Sequence, residues 1–384
     1  ESRTRLTDAG VSPDVAARAI RFNFRLSNNY FLEVARLRAG RHLWAHIVKA
    51  WGAADPESMK MNVHSETGRF NKTVYDPYVN LLRTQTEAMS AALGGAHSIT
   101  VLPFDEIFRD SSEFSERIAR NQQILLKEES NIDKVTDAAG GSYYLEKLTD
   151  ALVEQAWALF QETGDKGGFL AALREGFIQK KVREMAGRRD QNMALRRENL
   201  LGVNQFPNFT ETIREELDPS LFQPCDLTSE APEIETLQFS RAGQRFEALR
   251  YRTDRYAMSH KRPAAFMLTM GNLAMRKARA QFSCNFFAVA GFEVIDNNGF
   301  ATVEEGLAAA RQAGAEIIVV CSSDEEYAEI VPALVPLLKK EEILVVAGNP
   351  ACRADLEPLG VTNFIHVRSN LLQELTQYQA SLNI

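Results

Sequence analysis

Cysteine is scarce in this chain: Cys225, Cys284, Cys321 and Cys352 are its only four in 384 residues. None has Cys-x-x-Cys or Cys/His spacing, which argues against a structural zinc site and predicts reduced thiols of the cytoplasm. Positive charge is short as well. With 44 Lys and Arg against 51 Asp and Glu, the net charge is −7, and no basic field is available to attract nucleic acid. No apolar run reaches the roughly 18 residues that a membrane-spanning helix needs. Also missing are a Ser-His-Asp set, a metal-ligand triad and a phosphate-cradling P-loop, so the commonest hydrolytic, metal and nucleotide chemistries lose their signatures. The chain opens on Glu1 without a following signal-peptide pattern. A processed or trimmed amino terminus is therefore expected.

What is present is ordinary in total, with 45% hydrophobic and 25% charged residues. At this length at least two domains are expected, because single cores rarely grow beyond about 250–300 residues. A strand-then-helix rhythm fills the first part. Ile20, Phe22, Phe24 and Leu26 alternate as in a strand, and Ser27-Asn28-Asn29 introduces a long helix. Met59, Met61 and Val63 predict a second strand ending at His64, and a helix follows Asp76-Pro77. "AHSITVLPF" (96–104) reads as a third strand, with a helix from Ser111-Ser112 to about Glu129. Such spacing means parallel βα units. Three units cannot close a barrel and would leave bare edges, so either an open sheet or a longer natural protein is expected.

Residues 141–201 read as helical, and 203–262 as an extended connector marked by Pro207, Pro219, Pro224 and Pro232, ending in a short helix over 239–259. Strand-like runs then recur at 264–270, 292–295, 316–321, 343–347 and 363–366, with helices between them, one capped by Thr302. Five βα units of this length predict a flavodoxin-like doubly wound sheet. The expected domains are thus 1–140, 141–262 and 263–384.

Ligands of such sheets bind beyond the strand carboxyl ends, which here carry Gly271-Asn272, Cys321-Ser322-Ser323-Asp324 and Gly348-Asn349-Pro350. Backbone N–H groups at a helix start could hold a phosphate there without any signature; plain turn residues are the competing reading. Arg276, Lys277 and Arg279 read as the solvated face of a helix, and Cys284 and Cys321 as inert core thiols. In the first part, His64 in "NVHSETG" could donate to a ligand or be satisfied by local backbone. Asp105 and Glu106 could orient a ligand or cap the next loop. Arg21 reads as a surface charge, and His97 with the cluster Arg36, Arg38, Arg41, His42 as helix or loop decoration.

The segments "IRFNFRLSNNYFLEVARLRAGRHLWAHIVKAW", "NVHSETG", "AALGGAHSITVLPFDEIF", "GGSYYLEKLTDALVEQAW" and "LLGVNQF", in this order, resemble the methylmalonyl-CoA mutase family. The resemblance implies the last βα units of a (β/α)8 TIM barrel at 1–140, a helical linker, and a flavodoxin-like cobalamin-binding-like domain at 263–384. In that family the barrel binds acyl-CoA and the terminal domain holds adenosylcobalamin. A radical rearrangement interconverts methylmalonyl-CoA and succinyl-CoA. By position, Arg21 matches an arginine at the CoA phosphate, His64 a histidine near the acyl group and Glu106 a glutamate near the adenosyl ribose.

The family's Asp-x-His-x-x-Gly loop, whose histidine ligates cobalt, falls at Gly271 to Arg279, where neither histidine nor aspartate occurs. Its Ser-x-Leu becomes Ser322-Ser323-Asp324 and its Gly-Gly becomes Gly348-Asn349; Phe282, Phe286 and Phe287 are expected to fill cofactor space. In the barrel part, a glutamine is replaced by Glu66, a CoA-binding serine by Asn23 and a lysine by Glu57. The catalytic residues of the family lie in barrel segments outside this sequence. Most similar in pattern is the small, non-cobalamin-binding subunit of a heterodimeric mutase. The resemblance then implies no catalytic, metal or cofactor residues on this chain, vestigial substrate contacts at Arg21, His64 and Glu106, and a cytoplasmic heterodimer. Its larger homologous partner would carry adenosylcobalamin and the isomerase chemistry. An autonomous adenosylcobalamin-dependent mutase, and an acyl-CoA or nucleotide sensor, are the alternatives.

Overall fold

The computed structural model describes residues 6–225 and 234–384; Pro232 lies outside them. The chain divides into two compact units, one made of Glu1–Ala186 with Pro224–Arg241 and the other of Gly187–Gln223 with Ala242–Ile384.

The first unit begins with α1 (Pro13–Arg18), started by the Ser12 side chain accepting from the Val15 N–H and by proline at its first position. Strand β1 (Arg21–Leu26), helix α2 (Tyr30–Ala50), strand β2 (Asn62–Thr67), helix α3 (Val79–Leu93), strand β3 (Ser98–Thr100) and helix α4 (Glu113–Glu128) follow. A capping box between Ser112 and Ser115 starts α4. Helices α5 (Tyr143–Asp165) and α6 (Phe169–Arg174) follow, and α7 (Phe177–Ala194), which passes into the second unit from Gly187, completes the predicted helical stretch. The strands form a three-stranded sheet in the order β1-β2-β3, all parallel, with Asn23 opposite His64 and His64 opposite Ser98.

Alternation sorts the sheet's side chains. Phe22, Phe24 and Val63 point to one face, where they pack with Leu37 and Trp44 of α2 and with Met61. Arg21, Asn23, His64, Ser98 and Thr100 alternate to the other face. Leu37 and Val63 are fully buried, and burial of each stabilises the unit by about 1.5–3 kcal/mol.

Two sequence expectations shift here. The second strand starts at Asn62, because Asp55 and Pro56 start a 3-10 turn through Met59 whose Glu57 N–H bonds the Asp55 side chain. His64 is therefore inside the strand, not past its end. The third strand shortens to three residues, since beyond Thr100 the chain leaves the ladder and the Leu102 N–H bonds the Thr67 hydroxyl.

In the second unit, α8 (Gln244–Tyr256) precedes β4 (Ala264–Thr269), α9 (Leu273–Ala288), β5 (Glu293–Ile295), α10 (Val303–Ala313) and β6 (Ile317–Cys321). Then come α11 (Tyr327–Leu334), β7 (Ile343–Ala347), α12 (Arg353–Leu356), β8 (Phe364–Ile365) and α13 (Leu371–Ser381). Thr302 caps α10 as its position predicts, accepting from the Glu305 N–H, and Gly314 closes that helix with φ of 65°. The five strands are parallel in the order β5-β4-β6-β7-β8.

Strands β4 and β6 are buried at every residue, and their sequences AAFMLT and IIVVC are correspondingly apolar. Ala265, Met267, Val319 and Cys321 enter one core with Phe286 and Phe287 of α9 and Tyr378 of α13. Ala264, Phe266, Leu268, Ile318 and Val320 enter the other, with Leu307 of α10 and Tyr327 of α11. Helices thus cover both faces of the sheet. Phe286 and Phe287 are core residues, and the end of α9 that carries them lies over the sheet.

Candidate functional site

In the first unit, Arg21 Nη2 donates to Ser98 Oγ at 2.8 Å, and that hydroxyl lies 2.8 Å from His64 Nδ1. With its oxygen accepting from arginine, the hydroxyl proton is available to Nδ1, leaving the other ring nitrogen to face Thr100 Oγ1 at 3.4 Å. Arg25 and Glu66 form an ion pair at 3.2 Å on the same strands. The sheet therefore joins Arg21 to His64 through a serine that nothing in the sequence singled out. Glu106 is engaged elsewhere: its carboxylate takes a forked contact from the Arg69 guanidinium. Glu57 pairs with its helical-turn neighbour Lys60 at 2.6 Å, and Asn23 is exposed on β1.

Arg38 and Arg41 are not surface decoration. Arg38 bonds Asp137, Glu146 and Thr149, and Arg41 donates to the Gly94 carbonyl at 2.6 Å, so both arginines tie helix α2 to neighbouring segments. Sequence reasoning also missed a buried polar group. Lys72 Nζ reaches both oxygens of Glu87 at 2.7 and 2.9 Å, and that carboxylate also accepts from Asn71 and from the Gly68 N–H. Burial pushes the Lys72 ammonium down and the Glu87 carboxyl up, and each is partly offset by the other's charge. No local pattern marks such a pair, since the partners lie on a loop and a helix fifteen positions apart.

In the second unit, the strand order reverses between β4 and β6, whose following helices α9 and α11 cover opposite faces. This is where a parallel sheet opens a crevice for ligands. Here a carboxylate fills it. Glu326 accepts from the Asn272 N–H at 3.0 Å, the Ser323 N–H at 3.1 Å and the Ser323 hydroxyl at 2.9 Å, and from the Ser322 hydroxyl. These donors, the Ser322 hydroxyl foremost, pull its pKa down to about 2.

Gly271 sits at the turn with φ of 69°, and a Cβ there would come within 2.3 Å of the Glu326 carboxylate. Asn272 caps α9 by accepting from the Ala274 and Met275 N–H groups at 3.1 Å. Arg279 pairs with Asp324 at 2.8 Å, and Arg276 donates to the carbonyls of Gly271 and Asn298. Both arginines are thus tied across the loops instead of forming a solvated face. Asn349 is likewise engaged, accepting from Arg353 at 3.1 Å. Cys321 and Cys284 are buried, and desolvation pushes the Cys284 thiol up to about 12. Among the described residues no group of three or more His, Cys, Asp or Glu could hold a metal ion, and no helix is long and apolar enough to cross a membrane.

Residues 4–273 match the family model described as methylmalonyl-CoA mutase. The chain belongs to the methylmalonyl-CoA mutase family. It is 51% identical over 381 residues to the methylmalonyl-CoA mutase small subunit of Porphyromonas gingivalis, covering 99% of this chain and 61% of that protein. Against the small subunit of Streptomyces virginiae, identity is 35% over 342 residues, with 89% and 54% covered. The large subunit of Porphyromonas gingivalis is 40% identical over 199 residues, or 52% of this chain and 28% of that subunit. The chain thus spans less than two thirds of the length of the mutase small subunits it matches.

Proposed function

We propose that this chain is part of the small, structural subunit of a heterodimeric, cytoplasmic methylmalonyl-CoA mutase. A larger homologous chain then carries adenosylcobalamin and interconverts methylmalonyl-CoA and succinyl-CoA. Residues 1–140 are read as the closing βα units of a TIM barrel, 141–262 as helical segment and linker, and 263–384 as a flavodoxin-like domain. The observed strand order, 2-1-3-4-5 by position in that sheet, supports the last assignment. The small-subunit names of relatives matched over most of this chain support the subunit assignment.

The observation that carries the reading is the Glu326 carboxylate in the β4/β6 crevice. The residues there do not fit adenosylcobalamin. The stretch Gly271 to Arg279 supplies no imidazole to ligate cobalt, and the N–H and hydroxyl donors that could greet a nucleotide tail are already spent on Glu326. A second carboxylate, Asp324, lies across the same loops, held by Arg279. Negative charge at this place repels a phosphate-bearing tail.

On the first unit, Arg21 and His64 keep a polar surface that we read as a vestige of acyl-CoA contact, with Glu106 withdrawn onto Arg69. The substitutions at Asn23 and Glu57 leave neither a serine nor a cation there for a polyanionic coenzyme.

Purification from the source organism through a tag on this chain tests the reading. A larger mutase homologue should co-elute in equal amount, with cobalt following that chain. The same polypeptide made without it in cobalamin-supplied cells should contain no cobalt. Stoichiometric cobalt in the isolated chain, or elution without a larger homologue, would overturn the assignment.

A further inference from the structure

Helix α2 carries two histidines, His42 and His46, four positions apart. On a helix that spacing sets side chains one above the other on a single face, where two imidazoles can reach one ion. Both residues are exposed, while Val34, Ala35, Leu37 and Val48 bury other positions of the same helix. Packing therefore fixes the backbone beneath the two rings, and the rings themselves stay open to solution.

The His46 ring is oriented by its own helix. Its Nδ1 lies 2.9 Å from the His42 carbonyl oxygen, which can only accept, so Nδ1 carries the proton and donates. The lone pair is left on Nε2, as in metal-binding histidines, whose other ring nitrogen typically donates to a carbonyl or carboxylate. The His42 ring makes no hydrogen bond among the described residues, and both its nitrogens remain available. The two ring centroids are 4.6 Å apart, with planes inclined at 69°. Metal–nitrogen bonds of about 2.0–2.1 Å place each ring centre about 3.2 Å from a shared ion, so rings bound at right angles have centres about 4.5 Å apart. A tetrahedral angle would spread them to about 5.2 Å. The observed spacing fits neighbouring corners of a square plane, which suits Cu²⁺ or Ni²⁺ better than Zn²⁺.

We propose that His42 and His46 bind an exchangeable divalent transition-metal ion, with Cu²⁺ preferred. Imidazole suits this class of ion, and Cu²⁺ stands highest in the affinity order of the first-row divalent metals. With two protein ligands the remaining positions belong to water, so the ion exchanges and does not hold the fold together. The cavity beside His42 is walled by Asp137, Glu146 and Asp150 against Arg38, Arg41 and Lys60. Charge there is balanced, and no excess of positive charge repels a cation.

The site lies within the first unit and stands whether or not the subunit assignment does. Titration of the full chain with Cu²⁺, followed by electron paramagnetic resonance, should show one saturable site whose spectrum is split by two imidazole nitrogens. His42→Ala and His46→Ala replace exposed helical residues, so both variants should fold. Each should weaken Cu²⁺ binding at least about tenfold, since loss of even an outer partner of a metal ligand costs about 10–100-fold. Ni²⁺ and Zn²⁺ should bind more weakly than Cu²⁺. Absence of saturable Cu²⁺ uptake at micromolar concentration would overturn the proposal. Unchanged binding in either variant, a spectrum with one nitrogen or none, or Zn²⁺ binding as tight as that of Cu²⁺ would do so too.

Discussion

On the three-stranded sheet of the first unit, Arg21, Asn23, Ser98 and Thr100 remain exposed, with Ser98 linking Arg21 to His64. At the strand ends of the second unit, the Asn272 and Ser323 N–H groups and the Ser322 and Ser323 hydroxyls all donate to Glu326. The contrast follows from what covers each set. An exposed polar face can keep water as its partner, so losing a ligand costs little and side chains drift singly. At the strand ends, Ser322 and Ser323 are buried, and their hydroxyls cannot be left without an acceptor. When ligand contacts there change, an internal group must take their place.

The buried Lys72–Glu87 pair gives the largest expected effect on this contrast, because it has neither water nor slack. Lys72→Met leaves an uncompensated carboxylate and should cost about 3–5 kcal/mol in urea denaturation. Pairing it with Glu87→Leu should recover much of that loss. An additive double variant would show that the two side chains do not act together.

Next comes Gly271→Ala, which meets both a left-handed backbone and the held carboxylate. A loss of about 1–3 kcal/mol is expected. Glu326→Gly should relieve part of it, and a double-mutant cycle without coupling would remove Glu326 from the crevice.

A smaller, pH-dependent effect belongs to Glu326 itself. Its pKa is depressed from the ordinary 4.5 to about 2, so its contribution is present above the unfolded value and is lost as pH falls through the folded one. Stability of the native protein should drop through that window, and Glu326→Gln should flatten the acid limb; identical limbs would contradict the bonding described. Smallest of all, Arg21→Ala or Ser98→Ala should change stability by no more than about 0.5 kcal/mol, as for surface substitutions. A larger loss in thermal denaturation would mean that the polar face is structurally required.

Much of this fold was legible. The apolar runs AAFMLT, IIVVC and ILVVA announce buried parallel strands, and Thr302 announces its helix, because backbone geometry and burial act over a few residues. The second strand was misjudged at its start. Met59, Met61 and Val63 alternate as a strand does, yet Asp55 and Pro56 claim the first of them for a turn. The role of Glu326 was not legible at all; the sequence directed attention to Asp324, two residues before it.

By itself, then, the sequence determined the alternation of parallel strands and helices, the family, and the lack of a histidine at the first turn of the terminal sheet. Those properties are local or additive along the chain. Only the tertiary structure decided which carboxylate closes the crevice, which serine links Arg21 to His64, and which buried polar atoms go unsatisfied. Hydrogen bonds and burial are relations between distant residues, and they exist only once the chain has folded.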